Sequence, residues 1–184
     1  IIYAACDIYQ NKLQKLNILE IGVGSGCLIL SLLKIFQNSY ATAVDISQNA
    51  LNVAQKNANN LLISSRLKLY KSDIFSALCD QKKFDLIISN PPYIPTQDIN
   101  NLEDEVKHHE PILALDGGKD GLFFYHKIAQ NIDNFLKKNG FILLEIGFGQ
   151  EDSVTNIFQK YGFKIVFIKE DLGGIARCLI FNQK

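Results

Sequence analysis

Short, unbroken apolar blocks alternate along the chain with longer stretches whose apolar residues recur at helical spacing. The clearest block lies in FDLIIS, where Leu86, Ile87 and Ile88 run together as in a strand covered on both faces. Similar blocks predict strands at Asn17–Ile21, Ala41–Val44, Arg66–Tyr70, Phe141–Ile146, Phe163–Ile168 and Ala176–Phe181, seven in all. Helical patterning falls between them. It covers the apolar stretch CLILSLLKIF after Gly26, Ser47–Asn60 with Leu51, Ala54 and Ala58 facing inward, and Glu151–Tyr161. A further helix is expected from Gly121 to Lys138, with Leu122, Ile128, Ile132 and Phe135 on its inner face and Asn139-Gly140 as its stop. Residues 1 to about 13 read as the end of a helix with Tyr3, Ala4, Ile8 and Leu13 along one stripe. Residues 96 to about 119 are polar and irregular, and loops of that length are commonly functional. Strands alternating with helices predict an α/β fold, a mostly parallel sheet with right-handed crossovers. In such a sheet the carboxyl ends of the parallel strands share one edge.

The first four predicted strands each end in a residue suited to a ligand. The first runs into Gly22-Val23-Gly24-Ser25-Gly26 and then a helix, the context in which a glycine loop acquires meaning. The second ends in Asp45, about 20 residues on, the place of a ribose-binding carboxylate or of a cap for the next helix. The third is followed by Asp73-Ile74; Asp73 can accept from an adenine amino group or cap a turn. The fourth ends in Asn90-Pro91-Pro92-Tyr93. Two prolines cannot continue a central strand, since neither offers an N–H to the ladder. The chain therefore leaves the sheet and displays the Asn90 side-chain carbonyl, the Pro91 carbonyl and the Tyr93 ring. Two acceptors beside a flat ring suit a planar nitrogen carrying two hydrogens, held and aimed at an electrophile. The plainer alternative is a rigid turn with Asn90 as a local cap.

The loop spacing is Gly-x-Gly-x-Gly, which differs from the pyrophosphate-binding Gly-x-Gly-x-x-Gly. S-adenosylmethionine has ribose, adenine and an amino-acid tail but no phosphate. Glu20, just before the loop, can face that tail's ammonium group or serve the strand end structurally. A methyl acceptor at the ledge is what this cofactor requires.

The 184 residues are expected to form one domain with a substantial core. Nineteen basic and nineteen acidic residues cancel, so nothing demands a polyanionic partner. No apolar run approaches the roughly 18 residues of a membrane span. Cys6, Cys27, Cys79 and Cys178 lack metal-type spacing, and a reduced cytoplasmic protein is expected. His108 and His109 are read as structural or solvated, not as metal ligands, and no metal is expected. The chain has no Met, even at position 1, so a longer natural chain is expected.

The chain resembles the catalytic domain of HemK/PrmC-type methyltransferases, which methylate a glutamine amide in peptide chain release factors. The resemblance covers nearly the whole chain, through EIGVGSG, AVDIS, SDIF, FDLIISNPPYIP, HEPILALDGGKDGL, GFILLEIG and DLGGIAR. Asn-Pro-Pro-Tyr is shared with nucleic-acid amino-methyltransferases. His109-Glu110-Pro111 followed by Ala114-Leu115-Asp116-Gly117-Gly118 and Asp120-Gly121 is more specific. The resemblance implies a Rossmann-like class I S-adenosylmethionine-dependent fold, a mostly parallel seven-stranded sheet with helices on both faces. It implies that Gly22, Gly24 and Gly26, with Val23 and Ser25 between them, wrap the methionine part and that Asp45 holds the ribose. Asp73 and Ile74 would border the adenine. Asn90 and the Pro91 carbonyl would hold the substrate amide, with Asn90 also touching the cofactor and Pro92 and Tyr93 lining the site. Ile74 stands where the family often has a large aromatic residue, so weaker cofactor binding is expected. The resemblance also implies a helical N-terminal domain that helps bind the release factor and is missing here. Three other functions compete: a nucleic-acid amino-methyltransferase acting on adenine N6 or a similar group, a ribosomal-protein glutamine methyltransferase, and a non-enzymatic S-adenosylmethionine-binding scaffold.

Overall fold

The computed structural model describes residues 1–78, 83–102 and 111–183. Its strands are β1 (Asn17–Ile21), β2 (Tyr40–Asp45), β3 (Leu67–Lys71), β4 (Phe84–Ser89), β5 (Leu136–Glu145), β6 (Phe163–Glu170) and β7 (Ala176–Gln183). Its α-helices are α1 (Ile2–Ile8), α2 (Cys27–Ile35), α3 (Gln48–Asn60), α4 (Ile112–Leu115), α5 (Phe123–Asn131) and α6 (Glu151–Lys160). The strands form one seven-stranded sheet in the order β3-β2-β1-β4-β5-β7-β6. The pairs from β3 through β5 are parallel, and β7 runs antiparallel to both β5 and β6.

Burial on both faces accounts for the apolar blocks. Leu86 and Ile88 pack with α1, α2 and α3, while Ile87 packs on the other face with α5 and α6. The inward residues of α3 are Leu51, Ala54 and Ala58, and Ser47 caps that helix by accepting from the Ala50 N–H at 3.3 Å. Among the described residues no helix is long and apolar enough to cross a membrane.

Three expectations change. The helix expected to run to Lys138 stops at Asn131, passes through a 3-10 turn at Ile132–Asn134, and Leu136–Glu145 is strand. Pairing overrides the helical pattern here: Phe84 donates its N–H to the Phe135 carbonyl at 2.7 Å, and Lys137 reaches the Asp85 carboxylate at 2.9 Å. Of the expected stripe, Ala4 is buried and Ile8 packs partly buried against the same core, whereas Tyr3 and Leu13 are 86% and 68% exposed; Ala5 and, just beyond α1, Tyr9 take their place. Arg66 precedes β3, and its guanidinium donates to the carbonyls of Leu33 and Phe36 at the end of α2, groups the helix leaves open, and to that of Ser39 just before β2.

The sheet order reverses direction at β1 and β4. From β1 the chain proceeds outward to β2 and β3; it then returns to β4 on the other side of β1 and proceeds to β5. Ligands of open α/β sheets bind in the crevice at such a switch point, at the carboxyl ends of the strands. The glycine loop follows β1 and Asn90 follows β4, so the two flank it.

Candidate active site

The loop after β1 is held by backbone bonds from its own amides. Gly22 and Val23 donate to the Val44 carbonyl at 2.9 and 3.0 Å, and Gly26 donates to Val23 at 2.8 Å. Gly24 donates to the Asp45 carboxylate at 2.9 Å, and the other oxygen of that carboxylate accepts from the Ser47 N–H at 2.8 Å. Gly22 and Gly24 have φ of +75° and +53°, and a side chain at either would meet nothing within 4 Å. The loop therefore presents a turned backbone to open space. Val23 is buried beneath it, and the exposed Ser25 accepts at its carbonyl from Asn57 of α3 at 2.9 Å.

Glu20 lies under this loop, 2% exposed, and accepts from the Ile29 N–H of α2 at 3.2 Å. It thus serves the structural role weighed for it, which leaves its bearing on a ligand a matter of charge. Burial pushes its carboxyl well above the ordinary 4.5, the Asp45 charge adds to this, and the Ile29 N–H opposes it. The folded state therefore keeps a proton that the unfolded state has released, and stability falls as pH rises above about 4.5. Glu20→Gln keeps an acceptor for Ile29 and removes the titration. Urea unfolding across this pH range is expected to show a flatter profile for the variant; an unchanged slope would contradict the assignment.

After β3, the Ser72 hydroxyl accepts from the Ala77 N–H and donates to the Ile74 carbonyl, both at 3.0 Å, so Ser72 organises the turn. The Asp73 carboxylate is left outside it, 3.4 Å from the Lys127 ammonium of α5. Ile74 sits at φ +51°, an outlying conformation for a β-branched residue, and packs partly buried against the α5–α6 face. A bound adenine beside Ile74 would meet an aliphatic chain with no ring to stack on. Ile74→Trp removes the β-branch and supplies a ring, and is expected to tighten S-adenosylmethionine binding about fivefold by calorimetry. An unaltered affinity would place the adenine elsewhere.

Beyond β4, Asn90 is exposed, Pro91 is buried, and Pro92 and Tyr93 are half-buried. Among the described residues no donor reaches the Pro91 carbonyl. The strand residue before the ledge is anchored, since the buried Ser89 hydroxyl donates to the Ile21 carbonyl at 2.8 Å. Burial raises the Tyr93 hydroxyl pKa, helped by the Glu145 charge and opposed by Arg177.

Several groups around the ledge escaped the sequence reading. Glu145, at the end of β5, is the next residue in register with Asn90; burial raises its carboxyl pKa, and Arg177 and the Asn90 side-chain amide oppose this. Gln150 donates to the Tyr93 carbonyl at 3.0 Å and accepts from the Gly147 N–H at 2.9 Å. The end of α4 and the residues after it pair with the chain leaving the ledge: Ile94 donates to the Leu115 carbonyl at 3.1 Å, and Gly117 donates to the Ile94 carbonyl at 2.8 Å. This explains the downstream glycines. A Cβ at Gly117 would lie 2.8 Å from the Tyr93 Cα and 2.9 Å from the Pro92 carbonyl oxygen. His108, His109 and Glu110 lie outside the described residues, as does Cys79.

The site tests its cofactor by donor chemistry. The loop amides of Gly22, Val23, Gly24 and Gly26 are already engaged, and the Asp45 carboxylate stands at the loop. An anionic pyrophosphate would find these amides occupied and would meet the Asp45 carboxylate, whereas ribose hydroxyls suit such an acceptor. These residues fit S-adenosylmethionine.

The antiparallel β7 between β5 and β6, with the switch point at β1 and β4, defines a class I S-adenosylmethionine-dependent methyltransferase fold. The chain is similar to the crystal structure of ribosomal protein L11 methylase from Lactobacillus delbrueckii subsp. bulgaricus, with a TM-score of 0.70 and 20% identity, over 98% of this chain and 76% of that one. At that identity the likeness speaks for the fold. Residues 5–119, more than half of the chain, match the family described as methyltransferase small domain, and the chain belongs to that family. It is 42% identical over 177 residues to a bifunctional methyltransferase of Rickettsia conorii, covering 96% of this chain and 34% of that protein. It is 42% identical over 160 residues to a release factor glutamine methyltransferase of Geobacter sulfurreducens, covering 87% of this chain and 55% of that protein. The chain thus spans about a third to about half of the length of these relatives.

Proposed function

We propose that this chain carries out methyl transfer from S-adenosylmethionine to the side-chain amide nitrogen of the glutamine in the Gly-Gly-Gln motif of peptide chain release factors. The observation that carries this reading is the ledge at the switch point, where the exposed Asn90 side chain and the Pro91 carbonyl, unpartnered among the described residues, stand across from an open glycine loop. The release factor glutamine methyltransferase of Geobacter sulfurreducens, similar over 87% of this chain, supports the choice of acceptor.

When bound, S-adenosylmethionine supplies an electrophilic methyl group on a sulfonium. Gly22, Val23, Gly24, Ser25 and Gly26 would hold its methionine part, with Glu20 beneath. Asp45 would hold the ribose hydroxyls, and Asp73 and Ile74 would border the adenine. The lone pair of the acceptor amide is delocalised and poorly nucleophilic. The Asn90 Oδ1 and Pro91 carbonyl accept its two N–H groups, fix its direction, and stabilise positive charge as it develops on nitrogen. Pro92 and Tyr93 wall the position. No strong base is required before attack, because the alkylated amide is a much stronger acid than the starting one, and its proton passes to water. Cytoplasmic placement and a protein rather than a nucleic-acid acceptor complete the proposal. The free thiols of Cys6, Cys27 and Cys178 and the balanced charge of the chain support these.

The test is transfer of radiolabel from S-adenosylmethionine by the full-length protein. Its acceptors are a release factor, the same factor with the motif glutamine changed to alanine, and unmodified DNA and RNA. Label on the intact factor alone is expected. Label on nucleic acid would replace the substrate, and cofactor binding without any transfer would favour a scaffold.

A further inference from the structure

Asn90 can do its proposed work in only one of two orientations. Its Oδ1 accepts, whereas its Nδ2 carries two hydrogens and cannot pair with an acceptor nitrogen that also carries hydrogens. A half-turn about the last side-chain bond exchanges the two ends at little steric cost. An exposed Asn therefore needs a second group to choose between them.

The sheet supplies one. β4 and β5 are parallel, with Ser89 beside Leu144, so Asn90 and Glu145 are the next residues of the two strands. Alternation puts both on the same face. Leu86 and Ile88 precede Asn90 on the α1–α3 side of the sheet, and Leu143 precedes Glu145 on that side. Glu145 is itself held. Its carbonyl accepts from the buried Tyr125 hydroxyl of α5 at 2.8 Å, and the following Ile146 N–H donates to the Arg177 carbonyl of β7 at 3.1 Å. Its half-buried carboxylate, an acceptor at both oxygens, thus stands beside Asn90 and offers an acceptor to its side-chain amide.

We infer that Glu145 is a positioning residue for the ledge: by accepting from Asn90 Nδ2 it turns Asn90 Oδ1 toward the acceptor amide. This rests on the ledge being the holder of that amide. The inference sets Glu145 apart from a general base, because it acts through Asn90.

The experiment compares Glu145→Ala with Glu145→Gln in the full-length protein, using the release factor and S-adenosylmethionine. A glutamine at this position still offers a carbonyl to Asn90 Nδ2, whereas alanine offers nothing. Glu145→Ala is expected to lower kcat on the order of tenfold, the worth of one hydrogen bond to a charged group, with cofactor affinity unchanged. Glu145→Gln is expected to retain most of the wild-type kcat. Equal losses in both variants, or wild-type turnover in Glu145→Ala, would overturn the inference. The side-chain amide resonances of Asn90, read by NMR with cofactor bound, provide a measure independent of the acceptor. They are expected to shift and exchange faster with water in Glu145→Ala but stay near the wild-type pattern in Glu145→Gln. Resonances unchanged in Glu145→Ala would also overturn it. If wild-type protein leaves the release factor unlabelled, the substrate reading fails, while the resonances still decide the role of Glu145.

Discussion

Asn90→Ala is expected to lower kcat for methyl transfer by about 10²–10³-fold, the cost typical of removing one preorganised polar group from a charge-stabilising site. Alanine leaves the backbone of the Pro-Pro turn in place, so the Pro91 carbonyl still accepts one N–H of the acceptor amide. What is lost is the second acceptor, whose value grows as positive charge develops on nitrogen. An interaction that strengthens toward the transition state appears in kcat more than in ground-state binding. The cofactor side should be little disturbed, because the glycine loop is held by Val44 and Asp45 of β2. S-adenosylmethionine affinity is therefore expected within about threefold of wild type, since Asn90 adds little to uniform binding. Asn90 is exposed, and exposed substitutions usually change stability by less than about 0.5 kcal/mol. Single-turnover kinetics and calorimetry on one preparation separate the two readouts. A rate loss matched by an equal loss of cofactor affinity would move Asn90 from the acceptor side to the cofactor side. An undiminished rate would reduce the ledge to a turn.

The legible part of this molecule is the part in which local pattern and tertiary role coincide. Leu86, Ile87 and Ile88 read as a buried strand because a parallel strand is apolar on both faces, and that is how they are used. The glycine loop, Asp45, Asp73 and Asn90 were legible for a topological reason: each ends a parallel strand, and parallel strands deliver their ends to one edge. The missed features depend on who lies beside whom. Leu136-Lys137-Lys138 continues a helical pattern in isolation, and only Phe84 and Asp85 across the sheet make it strand. Glu145 looks like any acid at a strand end until the register of β4 and β5 sets it beside Asn90. Gln150 reaches the Tyr93 carbonyl across 57 positions, a contact with no local signature. The αL backbone of Ile74 was also hidden, because the turn is set by the Ser72 hydroxyl and not by a glycine. The signal that did exist was the spacing of Gly117 and Gly121, for which the sequence offers motif likeness and the packing offers a cause.

That cause leads to the second large effect. Gly121→Ala is expected to lower turnover by about 10²-fold, because a displacement of the reacting groups by about 1 Å costs that much. Gly121 sits at φ +75°, and a Cβ there would run into the Tyr93 carbonyl oxygen and lie 2.7 Å from Gln150 Nε2. The first obstacle is backbone. The second is the group that accompanies it, since Gln150 donates to that same carbonyl at 3.0 Å. The Gln150 side chain can swing aside, but the carbonyl cannot yield without moving Tyr93, and Tyr93 is joined to Asn90 through two prolines that bend little. The strain therefore passes into the ledge. Two effects are mixed in this substitution, and a control separates them. Gly162, after α6, has φ of +85°, and a Cβ there would meet nothing within 4 Å. Gly162→Ala should suffer only the left-handed penalty of roughly 1–2 kcal/mol and keep its turnover. Gly121→Ala should pair a comparable or larger stability loss with the collapse in rate, while S-adenosylmethionine still binds. If both variants lose stability alike and both keep their rates, the loop from Asp116 to Gly121 merely closes the fold. If only Gly121→Ala loses turnover, the ledge owes its position to a glycine 31 residues downstream of Asn90.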